Sequence, residues 1–152
     1  MLLSDFGKSF PHPAFDLAIG APGATVVNSG GTPTVSAGAV FVLYGTSSTT
    51  FNLTPQRLGQ GIGGLGETAE TGDGFGKVLN AGNFGKDPLR DLVVGSPLED
   101  SGLGNTGVVQ VVFGAFGNGL STTGNQVWTQ DTINVDELSE AGDNFRASAV
   151  GQ

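Results

Sequence analysis

Cysteine is absent from this 152-residue sequence, and histidine occurs once, at His12. Disulfides, thiolate zinc sites and cysteine nucleophiles are therefore excluded. Any Ser-His-Asp arrangement would depend on His12, which lies between two prolines in a segment typical of a surface loop. The acidic pairs Glu99-Asp100 and Asp136-Glu137 are expected to be solvated loop charges rather than catalytic dyads. We therefore predict that the chain is not an enzyme in its own right.

Positive charge is scarce, with six Lys and Arg residues against 14 Asp and Glu, and a net charge of -8. Nucleic-acid binding needs clustered Lys and Arg, so we expect no nucleic-acid partner. No apolar run approaches the roughly 18 residues that a spanning helix needs, so we expect no membrane insertion. Ser4 and Asp5 follow Met1–Leu3 directly, which leaves no apolar region of a secretory signal. Either a leader is missing from this sequence or the protein is not exported in this form.

Three sequence blocks recur in the same order along the chain. Their offsets are 75, 69 and 70 residues, and the length changes lie in Gly/Ser/Thr-rich stretches between them. This pattern is expected when strands are fixed and loops vary. The pairs are DLAIGAPG at Asp16–Gly23 and DLVVGSPL at Asp91–Leu98, GAVFVLYG at Gly38–Gly45 and GVVQVVFG at Gly107–Gly114, and GDGF at Gly72–Phe75 and GDNF at Gly142–Phe145.

The recurring blocks predict short β-strands. Ala39–Tyr44 and Val108–Phe113 are β-branched, aromatic and flanked by Gly. Leu17–Ile19 and Leu92–Val94 are apolar runs followed by a proline, which should end each strand. Their near-continuous apolar character predicts burial on both faces, and Trp128 is expected in a sheet core. Many short strands at even spacing are typical of an all-β propeller.

These blocks resemble the FG-GAP repeat of integrin α-subunit β-propellers, in the version found in bacterial surface proteins. Phe75-Gly76 supplies the "FG" and Gly20-Ala21-Pro22 the "GAP". The second copy has Gly95-Ser96-Pro97, and it departs from the pattern at Phe145-Arg146, where Gly is usual. The resemblance implies an all-β fold of two propeller blades, each a four-stranded antiparallel sheet.

The two repeats span 5–82 and 83–152, within a single propeller-like unit of residues 1–152. Asp5–Lys8 aligns with Asn83–Lys86, so the strand that should precede the first repeat is predicted to be missing. Residues 143–152 are predicted to supply it from the C-terminal end. Two blades cannot close a ring and would leave sheet faces exposed. Either copies of the chain assemble, three chains giving six blades, or the sequence is part of a longer propeller.

The resemblance also implies a calcium site in the loop before each "DL" strand, since alternating oxygen ligands can wrap a hard cation. Carried over position by position, the candidate ligands are Asn83, Asp87, the Leu89 carbonyl and Asp91 in the second repeat, and Asp5 and Asp16 in the first. Gly85 and Pro88 depart from the family pattern, and an insertion separates Asp5 from Asp16. The alternative is that Asp16 and Asp91 hold their loops by bonds to backbone N–H groups. Ca²⁺ is the only cofactor expected.

Three functions are compatible with these features. The first is a non-catalytic binding or adhesion module at the cell surface or outside the cell, which recognises protein or glycan. The second is a self-assembling two-blade unit whose main partner is itself. The third is an accessory fragment of a larger secreted hydrolase, which would need another domain for catalysis. Fold alone does not choose among them.

Overall fold

The computed structural model describes residues 1–7, 14–27, 31–47, 50–85, 87–132 and 138–145. Within these ranges the chain forms β-strands and no helix, which confirms the predicted all-β class. The described residues accordingly contain no helix that could cross a membrane. The strands are β1 (Leu2–Ser4), β2 (Asp16–Ala21), β3 (Val26–Val27), β4 (Pro33–Thr34), β5 (Ala39–Leu43), β6 (Gly45–Ser47), β7 (Thr50–Phe51), β8 (Gln56–Leu58), β9 (Val78–Gly82), β10 (Asp91–Ser96), β11 (Val108–Ala115) and β12 (Gly119–Trp128).

Two four-stranded antiparallel sheets make up most of the fold. The first sheet has the strand order β1-β2-β5-β8, and the second has the order β9-β10-β11-β12. Two small hairpins, β3-β4 and β6-β7, lie in the connections of the first sheet. Apart from these hairpins, both sheets follow the same meandering path from one edge strand to the other.

The strands form where the recurring blocks predict them. All six residues of β10 are buried, as its near-continuous apolar character predicts. Its counterpart β2 is less buried, because its outward-facing Ile19 is 36% exposed, whereas the outward-facing Val93 of β10 is 7% exposed. Both strands end at the residue before a proline, Pro22 or Pro97, since proline has no N–H group to donate to a neighbouring strand.

The two sheets share one hydrophobic core. Packing apolar faces against each other removes them from water, at about 25 cal/mol per Å² of apolar surface. Buried members of this core are Ala18, Val40, Val42 and Leu58 in the first sheet, Leu92, Val94, Val112 and Leu120 in the second, and Phe6, Leu65 and Phe75 in the connections.

A polar network at the edge of this core joins the sheets. The Leu120 N–H group donates to the Tyr44 hydroxyl at 2.8 Å, and the Tyr44 hydroxyl donates to the Gln56 side chain. The Gln56 amide in turn donates to the Leu120 carbonyl at 3.0 Å. Burial raises the pKa of Tyr44 to about 12, so this hydroxyl stays neutral and keeps its hydrogen bonds.

The prediction that the first repeat lacks its initial strand is wrong. Leu2–Ser4 forms β1, with Leu3 opposite Leu17 and Ser4 opposite Asp16. The strand has only three residues, too few to show an alternating pattern in the sequence. The sequence predicts residues 143–152 for this position; of these, 146–152 lie outside the described residues, as does His12.

The "FG" and "GAP" motifs meet where the two sheets join. A Cβ atom at Gly20 would collide with the Gly76 carbonyl oxygen, and Gly76 has a φ of +85°, so both positions need glycine. Next to them the Phe75 N–H group donates to the Ala37 carbonyl at 2.9 Å, and the Phe75 side chain is fully buried. The motif thus specifies the junction between two sheets.

Candidate functional site

Asp91 anchors the loop that precedes β10. One carboxylate oxygen accepts hydrogen bonds from the N–H groups of Phe84 at 2.7 Å and Gly85 at 2.9 Å. The other oxygen accepts from the Gly114 N–H group at 3.0 Å. The carboxylate therefore ties the loop to β10 and to the neighbouring strand β11.

Asp16 has the same role in the first sheet. Its carboxylate accepts from the N–H groups of Phe6 at 2.8 Å and Gly45 at 2.9 Å. Burial raises the pKa of this side chain, and the two backbone hydrogen bonds act in the opposite direction. The alternative interpretation of Asp16 and Asp91, as residues that hold their loops through backbone N–H groups, is confirmed.

The other candidate calcium ligands also bond to their own loops. Asp87 accepts from the Leu89 N–H group at 2.9 Å, and the Asn83 amide donates to the Asp87 carbonyl. Asp5 accepts from the Gly7 N–H group at 2.8 Å. Among the described residues, no three acidic or histidine side chains are grouped to hold a metal ion. This geometry does not fit a cage of several carboxylates, and calcium binding stays a prediction of the resemblance.

A cleft of about 750 Å³, here called the inner cleft, runs along β1 and β9. Both are edge strands of their sheets. Phe15 is 71% exposed and Phe84 56% exposed, and Arg90 is exposed beside them. The lining residues are Leu2, Leu3, Ser4, Asp5, Phe15, Asn80, Ala81, Gly82, Phe84 and Arg90.

Two acidic side chains, Asp73 and Glu99, and the amide side chain of Gln60 form a buried cluster, here called the acid seam. It lies where the connection from β8 to β9 meets the end of β10. Glu99 is 2% exposed and accepts a hydrogen bond from the Gln60 amide. Asp73 is 1% exposed and accepts from the Glu70 N–H group at 2.5 Å. Burial raises the pKa of Glu99 to about 8 and that of Asp73 to about 6. The carboxylic acid of Glu99 is therefore neutral at pH 7.

The expectation of solvated charges at Glu99-Asp100 is thus wrong for Glu99, although Asp100 is exposed. The pair Asp136-Glu137 lies outside the described residues. The sequence indicates the burial of Glu99 only weakly, through the position of Glu99 shortly after a buried strand and Pro97. Its partner Asp73 belongs to the recurring GDGF block, but a pairing across the two sheets has no signal in a single sequence.

Trp128 lies on the outward face of the second sheet. It is 38% exposed, whereas a position in a sheet core was expected. It borders a depression of about 470 Å³, together with Asn80, Phe84, Val93, Val109, Val111 and Gln126. This apolar face has no sheet packed on it among the described residues.

Comparison with known proteins adds no assignment. No family model matches the chain, and no curated protein matches it. The FG-GAP resemblance therefore depends on the motifs and on the contacts that these motifs make.

Proposed function

We propose that the chain is a non-catalytic pair of FG-GAP-like propeller blades that binds an extracellular protein segment. The support for the blade assignment is that the two sheets repeat one plan in detail. Asp16 and Asp91 make equivalent hydrogen bonds, and the Phe75 contact with Ala37 recurs as a 2.7 Å hydrogen bond from the Phe145 N–H group to the Thr106 carbonyl. The extracellular or cell-surface location is the one that the resemblance implies.

The inner cleft is the observation that carries the binding proposal. Its volume lies in the range of about 300–1,000 Å³ that is usual for ligand sites. Exposed Phe side chains and Arg90 supply the aromatic and guanidinium contacts that dominate many protein interfaces. Strands β1 and β9 are edge strands, the position at which an extended polypeptide can add to a sheet, which favours a polypeptide over a glycan.

The test is a selection of peptides from a displayed random library against the wild-type chain, followed by affinity measurements on Phe15→Ser. Phe51→Ser, a change at an exposed residue outside the cleft lining, is the matched control. We expect Phe15→Ser to weaken peptide binding at least tenfold and the control to leave it unchanged. A glycan array with the same proteins forms the second arm. Binding to glycans alone, or equal loss in both variants, contradicts the proposal.

The self-assembling unit is the second candidate function, and a different observation favours it. Each main sheet has an outward face that is equivalent, by strand register, to the inner face of the other sheet.

A further inference from the structure

Each main sheet turns one face toward the other sheet and one face outward. Outer face 1, on the first sheet, consists of two cross-strand rows, and so does outer face 2, on the second sheet. The rows of outer face 1 are Leu3–Leu17–Leu43 and Ile19–Phe41–Arg57. The rows of outer face 2 are Asn80–Val93–Val111–Gln126 and Gly95–Val109–Trp128.

Outer face 2 is the equivalent, by strand register, of the inner face of the first sheet. That inner face has the rows Leu2–Ala18–Val42–Gln56 and Gly20–Val40–Leu58. Each row of outer face 2 thus occupies the same strand positions as one row of this inner face. In both sheets, one of the two rows ends on a Gln residue. In the first sheet the side chains of Ala18, Val40 and Val42 are fully buried by the second sheet. Outer face 2 therefore has the register of a face that accepts another sheet, although its central residues Val93 and Val111 are only 7% and 8% exposed and Trp128 at its edge is 38% exposed.

Outer face 1 is likewise the equivalent of the inner face of the second sheet. The rows there are Ala81–Leu92–Val112 and Leu79–Val94–Gln110. Leu92, Val94 and Val112 are fully buried against the first sheet. Their counterparts are the large apolar residues Leu17, Ile19 and Leu43, and Ile19 is 36% exposed. A contact of outer face 1 with outer face 2 would repeat an interface that the chain already contains.

The junction at outer face 2 is also prepared for a further sheet. The N–H groups of Gly142 and Phe145 donate to the carbonyls of Gly104 and Thr106 at 2.9 and 2.7 Å. These bonds repeat those of Gly72 and Phe75 to Val35 and Ala37, at 3.1 and 2.9 Å. In the first sheet this arrangement precedes the entry of β9, the first strand of the next sheet.

We propose that copies of this chain associate head to tail, with outer face 1 of one copy packed on outer face 2 of the next. This inference rests on the blade assignment under the proposed function. The interface is heterologous, so a pair of copies leaves one free face of each kind, and association continues until a ring closes. Three copies give six blades, within the usual range of about four to eight for closed propellers.

The residues at the seam between copies are compatible with this contact. Within the chain, Asp73 meets Glu99, and the two carboxyl groups share a buried site. The equivalent of Asp73 is Asp143, which accepts from the Glu140 N–H group at 2.7 Å as Asp73 does from Glu70. The position equivalent to Glu99 in the first sheet of the partner copy is Ala24. The two positions are equivalent because the carbonyl of each residue accepts a 3.0 Å hydrogen bond from the N–H group of the glycine that precedes the third strand of its sheet. No second carboxyl group enters the seam between copies.

The experiment measures solution mass by light scattering and native mass spectrometry for the wild-type chain and for two face variants. Ile19→Glu places a charge on outer face 1, and Trp128→Glu places one on outer face 2. Both residues are partly exposed, so we expect both variants to fold. Circular dichroism and thermal melting verify the folding separately from the mass. Leu53→Glu, at a residue that is 85% exposed and outside both faces, is the matched control.

We expect the wild-type chain and Leu53→Glu to have two to four times the 15.3 kDa chain mass, since about four to eight blades close a propeller. Each face variant alone should be a folded monomer. An equimolar mixture of the two variants should give a dimer and nothing larger, because one outer face of each kind remains intact. Since every copy carries a net charge of -8, added salt should strengthen the wild-type assembly.

A wild-type chain that is monomeric at high micromolar concentration and in high salt overturns the inference, whatever else covers these faces. A dimer of either variant by itself also overturns it, because that would require an isologous contact. These outcomes are distinguishable from failure of the binding proposal. A monomer that binds peptides in the inner cleft removes only the head-to-tail assembly, and an assembly that binds no peptide removes only the cleft.

Discussion

Replacement of Glu99 by Gln should stabilise the protein at neutral pH. Glu99 is protonated in the folded chain up to about pH 8, whereas the unfolded chain ionises it near its usual value of 4.5. An acid whose pKa is raised by folding contributes full stability below pH 4.5, and this contribution is lost as the pH rises toward 8. Asp73 acts in the same direction between its usual value of 3.8 and about 6. The wild-type protein should therefore lose stability across the range from pH 4.5 to 8.

The magnitude follows from the span that Glu99 covers. At about 1.36 kcal/mol per pH unit, the interval from 4.5 to pH 7 corresponds to about 3 kcal/mol. For a chain of this size, that difference moves Tm by about 6–12 °C. Gln is neutral in both states, and its side-chain oxygen can still accept the hydrogen bond from Gln60. Glu99→Gln should equal the wild type near pH 4.5 and exceed it by this amount at pH 7.

The assay is thermal and urea unfolding of both proteins at several pH values between 4.5 and 8. Glu140→Gln is the matched control, because it removes the same charge from an exposed side chain and should follow the wild-type curve. The groups that face Glu99 are Gln60, Asp73, Glu67 and Glu70, and all are unchanged in both variants. An unchanged slope in Glu99→Gln, or a wild-type stability that does not vary with pH, would refute the reasoning.

Two further predictions concern the motif glycines and the loop carboxylates. Gly20→Ala should cost about 1–3 kcal/mol in urea unfolding or prevent folding, because the new Cβ would collide with the Gly76 carbonyl. Gly23→Ala should be neutral, because no heavy atom lies within 4 Å of its Cβ. Equal stability of the two variants would contradict the close contact. Millimolar calcium should raise the Tm of the wild-type chain and not that of Asp87→Asn if the loop takes the cation that the resemblance implies. No shift in the wild type removes the calcium prediction.

The strand positions were predictable because their signals are local. Apolar β-branched runs flanked by Gly and Pro mark β2, β5, β10 and β11, and the structure has a strand at each. Strand β1 was missed because three residues carry no periodicity. The two small hairpins lie in Gly/Ser/Thr-rich connections, where turn residues outnumber strand residues.

The candidate site was predictable only in part, because its chemistry depends on contacts between distant segments. The positions of Asp16 and Asp91 before their strands indicated loop anchors, and they are anchors. The burial of Glu99 depends on Gln60 and Asp73, which come from the connection between the two sheets. A sequence shows that such residues exist but not that folding removes them from water together.

The acid seam gives the internal junction a property that a junction between copies would not share. Within the chain, Glu99 and Asp73 both have raised pKa values because both are buried at the same contact. Between copies, Ala24 stands in the position of Glu99, so Asp143 would meet no second carboxyl group. Only one carboxyl group, that of Asp143, would lose water at the contact between copies, so this contact should be less sensitive to pH than the internal junction. A single residue at one register position thus makes two geometrically equivalent junctions differ in their response to protons.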